Sequence, residues 1–131
     1  MGEEIRERRS APRYKVRIPC SVLAISFDPG KTEDERPATL GYTHDVSIKS
    51  ISVVLPSNPI YSADKTELGT MSEITLALPQ GYVRLDGSLL RHAEANAKEN
   101  LFAFKIEGGT ETDRRLYEEY LESLFHEQTL K

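Results

Sequence analysis

The sequence predicts an all-β domain, a barrel or sandwich of about six antiparallel strands, followed by one amphipathic helix. Three observations predict it. Apolar and polar residues alternate with period two in several short runs, as strands with one buried face require. Proline, glycine, asparagine and aspartate stand between the runs, where turns need them. Only near the C-terminus does the apolar spacing change to the rhythm of a helix.

The first alternating run starts at Tyr14. Val16, Ile18, Cys20, Val22 and Ala24 fall on one parity and Lys15, Arg17, Pro19 and Ser21 on the other, which reads as a strand with one buried face. Cys20 lies on the buried parity, as a small core hydrophobe rather than a reactive thiol. Pro19 lacks a ladder donor and predicts an edge position or a bulge. Residues 28–36 are a polar loop, and residues 37–45 are extended and lead into Ser47. Ser50 to Leu55 is β-branched and stops at Pro56, and no clear period runs from there to Gly69. Met71 to Leu78 is a strand closed by Pro79. Tyr82 to Arg91 alternates Val83, Leu85, Gly87 and Leu89 against polar residues. Leu101 to Ile106 is the last strand, ended by Gly108 and Gly109. Residues 110–113 then offer helix N-caps and first-turn acids. Leu116, Tyr117, Tyr120, Leu121, Leu124 and Phe125 form one apolar stripe, a lid for the core or else a dimerisation surface. The predicted organisation is a flexible basic arm over 1–13, a β-barrel over 14–109 and a C-terminal helix over 110–131.

At 131 residues the chain has the length of one domain, with 38% apolar and 29% charged residues and a net charge of −4. No apolar run is long enough to span a membrane, and the first residues lack the apolar core of a signal peptide, so a cytoplasmic protein is expected. A single cysteine excludes an internal disulfide and a cysteine-rich zinc site. Charge is uneven: residues 1–17 carry six basic and three acidic side chains, whereas the other 114 carry eleven basic and eighteen acidic. An acidic body with a short arginine-rich arm suits a small anion better than a long nucleic acid. From charge alone the arm is equally a solvated tail.

Catalysis finds no support. His44, His92 and His126 lack metal-ligand spacing, and no nucleophile elbow, phosphate loop or H-E-x-x-H motif is present, so neither an enzyme nor a metal site is expected. The informative residues lie in two places. One is Arg8-Arg9-Ser10-Ala11-Pro12-Arg13, which contains R-x-x-x-R. The other is Asp45-Val46-Ser47-Ile48-Lys49-Ser50, just before a β-branched strand. Asp45 and Ser47 on their own also fit a turn pair that bonds local backbone.

Together the two segments resemble the PilZ domain, whose signature is R-x-x-x-R followed some thirty residues later by D/N-x-S/A-x-x-G. The resemblance covers nearly the whole chain. It implies a six-stranded antiparallel barrel with a closing helix, and recognition of the bacterial second messenger cyclic di-GMP. By match, Arg9 and Arg13 take the arginine positions, Asp45 the acidic one and Ser47 the small hydroxyl one. Ser50 stands where the family usually has glycine, a departure that narrows the site unless the backbone there has negative φ. Arg8, directly before the motif, is the position that influences how many ligand molecules stack, and an arginine favours two intercalated molecules.

The chemistry agrees. Guanidinium is always charged, gives phosphate two parallel hydrogen bonds and stacks on π faces. A carboxylate at Asp45 accepts from guanine N1–H and N2–H₂, which adenine cannot match, and Ser47 reaches a phosphate oxygen or the base edge. Arg91, at a strand end, either faces this site or is solvated. The expected function is a stand-alone cyclic di-GMP binding domain that relays the signal to an unidentified protein partner, with no nucleic acid, membrane or cofactor involved. The rival reading is a degenerate interaction module on the same fold that binds no nucleotide. An RNA-binding barrel is disfavoured by the acidic body and the lack of aromatic residues on a basic face.

Overall fold

Six strands, each antiparallel to its neighbours, form in the computed structural model, which describes residues 11–24, 38–57 and 68–129. They are β1 (Pro19–Ala24), β2 (Thr39–Val46), β3 (Ser50–Pro56), β4 (Met71–Leu78), β5 (Gly81–Glu94) and β6 (Glu99–Gly109). The sheet closes on itself in the order β1-β2-β3-β6-β5-β4, so it is a barrel and not a sandwich. Alternation explains the closure, since each strand turns one apolar face to a shared interior. Across β2, β3, β6 and β5, Val46, Ile51, Phe104 and Leu89 are directly paired and make one inward row of the core. Gly69, with φ of +88°, supplies the left-handed residue for the turn that enters β4.

The first alternating run divides in two. Tyr14, Ile18, Cys20 and Val22 are buried as their parity predicts, but ladder pairing begins only at Pro19. The preceding residues run beside β2, where Tyr14 makes an isolated bridge to Val46 and Ile18 hydrogen-bonds to Thr43. Pro19 is neither at a sheet edge nor in a bulge. It is the first residue of β1, opposite Tyr42, where a missing donor is tolerated. Strands β5 and β6 are longer than their apolar runs because they pair with each other from Leu85–Gly109 to Glu94–Asn100.

The helix α1 (Glu111–Thr129) starts where expected: Thr110 Oγ1 accepts the Asp113 backbone N–H at 3.1 Å, and Glu111 and Asp113 lie in the first turn. Asp113 also accepts the Arg84 backbone N–H at 3.3 Å, which pins the helix start to β5. Tyr117, Tyr120 and Leu121 join the core, Leu116 and Leu124 pack at its margin, and Phe125 remains exposed. The stripe is thus a lid over most of its length. Burial in the core pushes the Cys20 thiol up to about 12, which keeps it protonated and inert at neutral pH.

Candidate ligand-binding site

The connection between β2 and β3 is built around Ser47. Its backbone N–H donates to Ser50 O at 2.8 Å, and its Oγ accepts the N–H groups of Lys49 at 3.2 Å and Ser50 at 3.0 Å. Ser50 Oγ lies 3.1 Å from Ser47 Oγ. A serine hydroxyl that satisfies the amides two and three residues on is a local turn device. From the other side Tyr117 of α1 donates its phenol to Ser47 O at 2.6 Å, so the helix clamps the turn. Among the described residues no non-glycine residue has positive φ, and Ser50 therefore holds its position without the freedom of glycine.

Three residues before Ser47, the ladder contains a bulge. Thr43 pairs with Val53 and Asp45 with Ser52, which leaves His44 as the extra residue. Thr39 and Thr43 are buried on the inward parity of β2, and Val46 is inward as well. Without the bulge Asp45 would share the parity of Thr43 and face the core; the inserted residue turns it to the outer wall. There His44 Nδ1 donates to Asp45 Oδ2 at 2.8 Å. The other oxygen, Oδ1, is buried and has no hydrogen-bond partner among the described residues. Leaving a buried acceptor of this kind unpaired costs roughly 1–3 kcal/mol, more when it is charged. Such an atom is an acceptor waiting for a donor.

The base of the arm lies directly beside this carboxylate. Tyr14 exchanges both backbone hydrogen bonds with Val46, at 2.9 and 3.0 Å. Thr43 reinforces the attachment: its N–H donates to Ile18 O at 2.9 Å, and its Oγ1 accepts from Ile18 N and donates to Val16 O. In antiparallel register with this bridge, Arg13 precedes Tyr14 as Ser47 follows Val46, so its exposed side chain leaves the chain next to the turn. Arg8 and Arg9 lie outside the described residues. Arg17 stacks on the Tyr42 ring with its guanidinium carbon 3.8 Å from the centroid, and Tyr42 OH donates to Glu99 at 3.2 Å.

The structure therefore joins Ser47 to Ser50 through hydrogen bonds, sets Asp45 two residues before that turn, and by register places the backbone of Arg13 alongside it. The support supplied by Thr43, His44 and Tyr117 was not legible in the sequence, because it depends on a bulge and on pairing between distant segments. Among the described residues, no group of three or more His, Cys, Asp or Glu side chains is placed to hold a metal ion. No helix there is long and apolar enough to cross a membrane.

The family model for the PilZ domain matches residues 7–123, a stretch that contains both motif segments. The chain belongs to the PilZ domain family. Solved structures share its fold at low identity. The PilZ domain of Escherichia coli YcgR, solved with c-di-GMP, is 17% identical with a TM-score of 0.62, over 92% of this chain and 94% of that one. The K. pneumonia MrkH–c-di-GMP complex is 15% identical with a TM-score of 0.65, over 93% and 53%. The Bacillus subtilis inhibitor of motility MotI/DgrA is 16% identical with a TM-score of 0.62, over 95% and 52%. The chain thus spans about half the length of the last two. A comparison with curated proteins gives no match.

Proposed function

We propose that this PilZ domain is an effector of cyclic di-GMP, which it binds where the arginine arm meets the β2–β3 turn. The observation that carries the reading is the buried, unpartnered Oδ1 of Asp45 at the foot of the arm. A guanine offers N1–H and N2–H₂ on one edge, two donors side by side, and a carboxylate with one oxygen unpartnered accepts them where adenine has no matching pair. Arg8, Arg9 and Arg13 supply charge, bidentate bonds to phosphate and stacking surface. Ser47 and Ser50 hold the turn, and Ser47 acts on the ligand mainly by fixing the backbone around Asp45. YcgR and MrkH, whose solved complexes contain c-di-GMP, are neighbours in fold and support the same ligand. Binding orders the arm against the barrel, and that change at the surface is what a protein partner reads.

Isothermal titration tests the reading. Cyclic di-GMP binds, while cyclic di-AMP and GTP bind much more weakly. Asp45→Ala weakens binding and blurs the preference for guanine, and Arg13→Ala weakens it with little change in the stability of the free domain. Absence of heat at high micromolar cyclic di-GMP would leave the rival, an interaction module without nucleotide. The feature favouring that rival is serine at position 50, but its backbone conformation places no strain on the turn.

A further inference from the structure

A second charged residue reaches the outer wall by the same device as Asp45. On β5, Val83, Leu85 and Leu89 face the core, so simple alternation would turn Arg91 inward as well. The β5–β6 ladder slips between Leu89 and Arg91: Leu89 pairs with Phe104 and Arg91 with Ala103, leaving Leu90 as an extra residue. Arg91 is turned outward and is exposed. Its partner Ala103 pairs with Ser52 on β3, and Ser52 pairs with Asp45 on β2. Asp45, Ser52, Ala103 and Arg91 thus form one row across four strands, directly beside the inward row of Val46, Ile51, Phe104 and Leu89. Adjacent rows face opposite ways, so all four members of the outer row point away from the core.

The composition of that row is specific. Three strand spacings separate its ends by about 14 Å. Its middle members rise no higher than a hydroxymethyl and a methyl group, and Ala103 is buried without belonging to the core cluster, so the floor is low and sheltered. Its ends are a carboxylate and a guanidinium. Among the described residues the Arg91 guanidinium has no hydrogen-bond or ion-pair partner, in contrast to Arg84 on the same strand, which pairs with Glu73 at 2.9 Å.

We infer that Arg91 is a specificity-determining residue that reads the O6/N7 edge of the guanine whose N1/N2 edge is held by Asp45. The inference rests on the cyclic di-GMP reading. A purine lying over Ser52 and Ala103 fits between short Asp45 and long Arg91, and the two end groups complement the two edges on which guanine differs from adenine. Aspartate accepts from N1–H and N2–H₂, and the guanidinium fork donates to O6 and N7. The arm is then left to the phosphates and to stacking, so base identity belongs to the rigid barrel wall.

Calorimetric titration of cyclic di-GMP and of its 7-deazaguanine analogue, which lacks N7, tests the assignment on the intact chain and on Arg91→Ala, Arg91→Lys and Arg84→Ala. Loss of one bidentate contact to the base weakens cyclic di-GMP binding roughly tenfold or more in Arg91→Ala. Arg91→Lys restores little of it, because an ammonium does not reproduce the fork. Arg84→Ala binds as the parent does. The analogue binds the parent several-fold more weakly than cyclic di-GMP, and in Arg91→Ala it suffers no further loss. Parent-like affinity in Arg91→Ala overturns the inference, and so does an analogue penalty that is the same with and without Arg91. If the parent itself binds no cyclic di-GMP, the ligand reading fails and this assignment fails with it, a result distinct from the other two.

Discussion

Replacing Tyr117 by phenylalanine removes one oxygen from a side chain that is 2% exposed and leaves its ring packing in place. That oxygen donates to Ser47 O over 2.6 Å and is the link by which the helix grips the β2–β3 turn. The variant loses a buried hydrogen bond and leaves a carbonyl without this donor, which costs about 2 kcal/mol within a range of roughly 1–3. For a domain of this length each kcal/mol is worth about 3–6 °C, so the melting temperature falls by roughly 6–12 °C. Differential scanning calorimetry measures the shift, and near-ultraviolet circular dichroism of the unheated variant checks that the fold is retained. Binding responds too, because the turn that loosens is the one next to Asp45, and the affinity for cyclic di-GMP falls several-fold. A melting temperature within a degree of the parent would refute the claim that the helix holds the turn through this bond.

Three further outcomes follow from other positions. Ser50→Gly leaves the fold intact, since it removes only the Oγ contact to Ser47, and isothermal titration registers a modest gain in cyclic di-GMP affinity as a side chain beside the ligand disappears. Gly41→Ala drives a methyl group to 2.2 Å from Val54 O, a backbone atom of the paired strand that cannot swing away. Overpacking of this kind costs about 1–3 kcal/mol or more, and urea titration of the variant reads a correspondingly lowered midpoint. Cys20 and Tyr117 both have their acid dissociation pushed up by burial. The unfolded chain therefore releases protons that the folded one retains, and stability is complete below about pH 8.5 and falls above it by up to ~1.4 kcal/mol per pH unit per group. Urea midpoints at pH 8 and pH 10.5 show this decline, Cys20→Ala lessens it, and a thiol reagent at pH 8 leaves the folded protein unlabelled.

Sequence patterning reached the fold closely where burial is strictly periodic. Ile74, Leu76 and Leu78 alternate with Glu73, Thr75 and Ala77, and β4 has the bounds read from the sequence, although its inward parity continues to Ser72 and leaves Met71 exposed. The helical stripe likewise placed Tyr117, Tyr120 and Leu121 in the core. Patterning failed at register. The alternation beginning at Tyr14 tracks burial through Val22 but does not reveal that pairing starts at Pro19, because burial records the side chain's environment and not the partner of its backbone. The bulges at His44 and Leu90 left no local mark either, since an extra residue is defined by the opposite strand. Asp45 was picked out by its motif, yet the reason it faces outward lies in that bulge. Asp45 and Ser47 were legible as a turn pair, and Ser47 realises that local alternative through its hydrogen bonds to the amides of Lys49 and Ser50, whereas Asp45 bonds the His44 ring and keeps one oxygen unpartnered.

Closure of the barrel has a consequence for how another polypeptide meets this domain. Every described strand is flanked by a hydrogen-bonded neighbour on each side. Recruitment by strand addition, in which a partner extends a sheet through its own backbone, needs a row of free amide and carbonyl groups, and the paired registers of the barrel leave none along the length over which neighbouring strands overlap. The same absence of a template discourages edge-to-edge aggregation between copies crowded in a cell. A partner that docks on the described wall must recognise side chains, so its choice of target is set by substitutions such as those at exposed Leu40, Tyr82 or Phe125 while the backbone scaffold stays constant.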